Sequence, residues 1–465
     1  MDGAAAQHAR SMEVTAAMPE RSFNLVMPLA HKATDMRNTE TLGSAPGRSG
    51  AVSPLSTRQG DVRSTMGPPG PGIRTSTTAT RTTTTRTTSF ALEPSADWSA
   101  PADLTFSDLV QAYFDCRRTK RNSASALAFE ASLEHNLRDL YDELVAGAYK
   151  PGRSICFVIT HPKPREVWAA EFRDRVVHHL LNNRIAPRFY ARFIADSCAC
   201  IPGRGTLYAA QRLEDKVRSI TQNWQRPANY LKCDLANFFV SIDKRILAGL
   251  LDRHVTEPWW RALMHTVLFQ DPRQDFELRG DASMLALVPR HKRLTEHPAH
   301  LGLPIGNLSS QFFANVYLNE LDQFVKHGLR ARHYIRYVDD FVLLHESTEW
   351  LSQARQRIDA FLPEKLAAQL NPRKTILQPL SRGVDFVGQV IKPWRRTTRR
   401  KTLSVALDRI KHADADELFE SANSYFGLLR QATHSHHDRA QLANLLRDRG
   451  HTVKANLTKT YRRTL

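Results

Sequence analysis

Two places in the sequence set carboxylates at the edge of apolar, strand-like runs. Tyr230-Leu231-Lys232-Cys233-Asp234-Leu235 closes a predicted strand on Asp234, and Tyr337-Val338-Asp339-Asp340-Phe341-Val342-Leu343-Leu344 places two acids in a tight turn between apolar residues. A charge among buried strands is costly unless a cation or a partner compensates it. Pairing the two strands would bring Asp234 and Asp339 together, and carboxylate oxygens of this kind suit Mg²⁺. Two such ions can activate a hydroxyl and stabilise a departing pyrophosphate, which is the chemistry of nucleotidyl transfer. An Asp-Asp pair alone is more often a solvated turn, so the surrounding elements have to decide.

Those elements occupy the later part of the chain. Residues 67–72, Gly-Pro-Pro-Gly-Pro-Gly, precede a tract from Thr75 to Thr88 in which ten of fourteen residues are threonine. So little apolar surface cannot offset the entropy of ordering, and a disordered arm is expected over 1–98. Helical spacing begins at Phe106, Leu109 and Tyr113, and one stripe of Phe129, Leu133, Leu137, Leu140 and Leu144 ends at Gly147. Ile155 to Ile159 reads as a strand.

Composition bounds the function class. The 465 residues carry a formal charge of +18 and a pI near 9.9, with 42% hydrophobic and 24% charged side chains. Five scattered cysteines without a CxxC pair argue against a disulfide scaffold or a Cys-rich zinc site. No apolar run is long enough to span a bilayer and no secretory leader is evident, so a soluble, cytoplasmic protein that avoids membranes is expected. The charge is uneven. Residues 1–100 hold ten basic and eight acidic side chains, whereas residues 381–465 hold seventeen and eight. A polyanionic partner of the folded part is the natural reading.

Over roughly Phe106 to His434 the motifs, in order, resemble reverse transcriptases. Asp234-Leu235-Ala236-Asn237-Phe238-Phe239 resembles the first catalytic block, in which the family's aspartate binds metal and the aromatic corresponding to Phe239 excludes a ribose 2′-hydroxyl. Gly302-Leu303-Pro304-Ile305-Gly306-Asn307-Leu308-Ser309-Ser310-Gln311 resembles the next block, where Ile305, Gly306 and Gln311 would lie near the nucleotide. Most relatives carry Gln and Pro where this chain has Ile305 and Gln311. The variant resembles diversity-generating retroelement enzymes, in which this contact is associated with misincorporation opposite template adenines, and also some antiphage-defence reverse transcriptases. Tyr337-Val338-Asp339-Asp340 resembles the third block, with Asp339 and Asp340 as metal ligands. Leu370-Asn371-Pro372-Arg373-Lys374-Thr375 resembles a motif whose lysine protonates pyrophosphate, a role for Lys374. Gly383 to Gly388 resembles the primer-grip hairpin.

The resemblance implies an α+β right-hand polymerase, with N-terminal helices and fingers over 99–228, a palm over 229–392 broken by a fingers excursion near 255–304, and a basic helical thumb over 393–465. It implies two Mg²⁺ ions, deoxynucleotides, an RNA template and a DNA primer or product. Arg165 and Arg173 are expected on the triphosphate because guanidinium forks suit phosphate oxygens. Arg204 and Gly205, then Arg395, Arg396, Arg399 and Arg400, are expected along the nucleic-acid backbone. A small basic accessory protein would accompany the diversity-generating role, and a structured noncoding RNA the defence role. A catalytically silent RNA-binding protein on the same fold is the reading from another class.

Overall fold

A computed structural model describes residues 101, 103–118, 123–160 and 163–461. The arm expected over 1–98 lies outside the described residues. Three helices open the described chain: α1 (Phe106–Arg117), α2 (Ala124–Glu130) and α3 (Leu133–Val145). Thr105 caps α1 reciprocally with Asp108, each side chain accepting from the other's backbone amide. The stripe read as one helix from Phe129 to Leu144 is broken at Ala131 and Ser132, so it serves two helices, and Gly147 ends the second at φ +68°.

Next come strands β1 (Ser154–Ile159) and β2 (Arg165–Ala169), helices α4 (Phe172–Tyr190) and α5 (Thr206–Ile220), and strand β3 (Asn229–Asp234). Helices α6 (Phe238–Ser241), α7 (Lys244–Asp252) and α8 (Pro258–Phe269) lead to the short strand β4 (Phe276–Leu278). Strand β4 joins β1 in parallel while β2 pairs with β1 antiparallel, so the excursion expected near 255–304 returns to the fingers sheet. Helix α9 (Leu308–Gln323) then crosses the core and packs on α4.

The palm is a four-stranded antiparallel sheet ordered β5 (His333–Tyr337), β6 (Asp340–His345), β3, β7 (Ile376–Pro379), with α10 (Thr348–Leu366) packed on β6 and β3. Both faces are covered. Leu231, Cys233, Phe341 and Leu343 enter the main core, while Tyr230, Ile335, Val342 and Leu344 pack with Leu213 and Val217 of α5. Because side chains alternate along a strand, Asp234 and Asp340 share the second face, beyond the point where its apolar series ends.

A three-stranded sheet of β8 (Val384–Phe386), β9 (Gln389–Lys392) and β10 (Arg395–Thr398) follows. Val387 and Gly388, at φ +45° and +84°, form the left-handed two-residue turn that such a hairpin favours. Helices α11 (Arg400–His412), α12 (Ala415–Leu429) and α13 (His436–Asp448) close on their own core of Ile410, Leu418, Phe426 and Leu442, which makes the thumb. His436 and His437 open α13.

Candidate active site

Strand register assembles the acids. Asp234 is the last residue of β3 and lies directly opposite Asp340, the first residue of β6. Asp339 sits one residue earlier, in the two-residue turn that joins β5 to β6. The pairing therefore unites Asp234 with Asp340 across the ladder and hangs Asp339 from the turn, a slightly different arrangement from the Asp234–Asp339 pairing expected. Val338, the other turn residue, has φ +56°, a conformation that a β-branched side chain rarely accepts.

Burial and crowding set the electrostatics. Asp234 is buried and Asp339 and Asp340 are half-buried. Protein surrounds Asp339 on most sides. Burial, reinforced by the Asp234 and Asp340 carboxylates, raises Asp339 to about 6. Asp340 is raised as well, first by burial, against the opposing pull of the Lys232 ammonium. Lys374 places its ammonium 2.6 Å from Asp234 Oδ2, and Asn371 donates its side-chain amide to the same oxygen at 3.3 Å. The Asn371 backbone amide also donates to the Asp234 carbonyl at 2.8 Å, fixing the loop that carries Lys374.

Three like charges crowded at paired strand ends fit a divalent cation, which would relieve the repulsion that raises Asp339. Among the described residues no group of three His, Cys, Asp or Glu side chains converges closely enough to cage an ion unaided. Mg²⁺ does not require such a cage, since it is commonly held by one or two carboxylates together with substrate phosphates.

The nucleotide-side residues divide. Phe239 is half-buried against the buried Phe238, with ring centroids 5.4 Å apart, so Phe238 is the core residue and Phe239 the one left at the surface. Ile305 is half-buried, and its carbonyl accepts from Trp168 of β2 at 2.7 Å. Gly306 has φ +134°, and a Cβ there would fall 2.8 Å from the Trp168 carbonyl. Its glycine is thus required by a close approach to β2. Gln311 is half-buried in the first turns of α9. Arg165 is exposed at the first position of β2.

Four basic residues expected on substrate or nucleic acid have protein partners. Arg173 is bound by Glu143 through two hydrogen bonds and lies over the Tyr149 ring. Arg204 donates to the carbonyls of Ile194 and Ser197, both at 2.7 Å, next to Gly205 at the start of α5. Arg396 is buried, 2.7 Å from the Glu214 carboxylate, because strand alternation in β10 turns it inward. Its neighbour Arg395 is exposed, as are Arg400 and Lys401. Arg399 is half-exposed and pairs with Asp385 of β8.

Two features escaped the sequence reading. Lys163 is lowered first by partial desolvation and further by the positive charges of Lys374, Lys292, Arg165 and Lys401. Arg336 is fully buried in a network described below. Its signal was present in the sequence as a lone charge inside an alternating apolar strand, which demands a buried partner.

Acids at paired strand ends of a four-stranded antiparallel sheet, with the Lys374 ammonium on Asp234, fit the fold of the right-hand nucleic-acid polymerases. Residues 161–391 match the sequence model of the reverse transcriptase (RNA-dependent DNA polymerase) family. The chain therefore carries a reverse transcriptase domain, the domain of RNA-directed DNA polymerases among the nucleotidyltransferases. No curated protein matches. Solved structures that align with part of the chain include apo telomerase from Candida tropicalis truncated from its C-terminal domain, at 12% identity and TM-score 0.41, covering 53% of this chain and 55% of that one. Telomerase from Candida albicans in complex with a TWJ fragment of telomeric RNA matches at 14% identity and TM-score 0.37, covering 63% of this chain and 53% of that one. The match thus spans about half the length of these structures. Among the described residues no helix is long and apolar enough to cross a membrane.

Proposed function

We propose that this protein copies RNA into DNA at the site formed by Asp234, Asp339 and Asp340. The observation that carries the reading is the register that sets Asp234 opposite Asp340, with Asp339 in the adjoining turn and the Lys374 ammonium on Asp234. Two Mg²⁺ ions bound there would supply an activated 3′-hydroxyl and a stabilised leaving pyrophosphate. Asp234, Asp339 and Asp340 would hold the metal, and Lys374, whose ammonium rests on Asp234 Oδ2, would give a proton to the departing oxygen. The cations gathered around Lys163, including Arg165, suit a triphosphate. Phe239 stands after Asp234 as the steric gate against a 2′-hydroxyl.

The biological role we favour is diversity-generating mutagenesis, with a small basic accessory protein as partner. Ile305 supports it: an aliphatic side chain there offers no amide to steady a nascent pair. Purified protein should extend a DNA primer on RNA with dNTPs and Mg²⁺. Phe239→Ala should raise ribonucleotide use relative to deoxynucleotide use by roughly tenfold or more. Unchanged sugar discrimination would remove Phe239 from the site, and absence of any extension would defeat the polymerase reading.

A further inference from the structure

The Arg336 side chain makes five hydrogen bonds in the interior of the palm. Its Nε and Nη2 donate to the two Asp322 oxygens at 2.7 and 2.6 Å, and Nη2 also donates to Ser197 Oγ at 2.9 Å. Nη1 donates to Asn315 Oδ1 at 3.2 Å and to the Val338 carbonyl at 3.0 Å. Asp322 further accepts from the Tyr334 hydroxyl at 2.7 Å, and Asn315 donates to the Ala199 carbonyl at 2.7 Å, so these two partners are themselves held. Asp322 and Asn315 both belong to α9, the helix whose first turns carry Gln311.

A buried ion pair of this kind is poor evidence of a purpose in stability, since well-packed apolar residues often serve as well or better. Its geometry points elsewhere. Four of the five bonds fix the guanidinium, and the fifth reaches the turn that carries Asp339. That turn needs holding, because Val338 sits in left-handed backbone that valine disfavours. We propose that Arg336 is a positioning residue, which holds the strained Val338 turn through its carbonyl and thereby fixes where Asp339 points. The inference rests on the polymerase reading of the site.

Arg336→Lys tests it in the full chain, because lysine keeps a cation for Asp322 but its single nitrogen cannot serve all four partners. Mn²⁺ binding to the protein–primer–RNA complex, read by electron paramagnetic resonance, should weaken about tenfold and kcat should fall about 100-fold, as expected for a misplaced ligand. Primer–template affinity should stay level. Adding Val338→Gly relieves the strain and should recover about tenfold of the lost kcat and most of the Mn²⁺ affinity. Unchanged Mn²⁺ affinity, no recovery on adding Val338→Gly, or a parallel loss of primer–template affinity would overturn the proposal. Should Arg336→Lys fail to fold, Ser197→Ala loosens the same guanidinium and should weaken Mn²⁺ binding about threefold; no shift would overturn it equally. A wild-type protein unable to extend a primer defeats the polymerase reading itself. An active wild type indifferent to these changes defeats only this inference.

Discussion

Under the proposed function, Ile305 is the residue at which the ability to copy and the accuracy of copying would come apart. Its backbone is fixed by Trp168, so a substitution there alters the side chain presented near the nucleotide while leaving the link to β2 in place. Ile305→Gln should lower errors opposite template adenines severalfold, on the order of one hydrogen bond's worth of discrimination, with little change in extension rate. Sequencing the cDNA made by both proteins measures this, and equal error spectra would remove Ile305 from fidelity. The acids were legible in the sequence because a charge closing an apolar strand has few explanations. Lys374 was legible through its motif. Arg336 was visible as an anomaly without a partner, since Asp322 and Asn315 meet it only after α9 has folded over the sheet. Asn371 was missed as a contact for the same reason: its bond to Asp234 joins loops far apart in sequence.

Among the elements, β10 shows how a charge run can mislead. Arg395, Arg396, Arg399 and Arg400 look alike in sequence, yet alternation in β10 sends Arg396 inward to Glu214 of α5 and leaves Arg395 outside. This pair fastens the hairpin sheet to the palm's second face. Glu214→Ala should cost about 3–5 kcal/mol, because it strands a buried guanidinium, and a denaturant titration would show it. Its effect on the salt dependence of RNA binding should be negligible. Arg400→Ala should do the opposite, leaving stability nearly unchanged while reducing the slope of log affinity against log salt by about 0.7–0.9. The opening helices, β1, β3 and the β5–β6 turn followed from periodicity and turn residues. The break between α2 and α3 did not, because an apolar stripe can continue across a two-residue interruption when both helices face one core.

Across the whole molecule, basic side chains outnumber acidic ones, most of all over residues 381–465, where seventeen face eight. The same chain contains a buried imidazole with consequences for stability. His178 is pushed down to about 3 by burial and by neighbouring His179 and Arg175, and its Nδ1 has no hydrogen-bond partner among the described residues. An unfolded histidine takes up a proton near pH 6.5, whereas the folded one does not until far lower. Its contribution is therefore level above about pH 6.5 and becomes destabilising as the pH falls, by about 1.4 kcal/mol per unit until the folded value is reached. His178→Leu should flatten that acid slope in denaturant titrations between pH 6.5 and 4.5; an unchanged slope would show that other groups set it. The central claim, that Asp234, Asp339 and Asp340 form a metal-dependent polymerase centre, is tested most directly by Asp339→Asn in a primer-extension assay on RNA with Mg²⁺ and dNTPs. The wild type should extend the primer, and the variant should lose about 10³-fold or more of kcat while binding primer–template as before. Full activity in Asp339→Asn would contradict the claim.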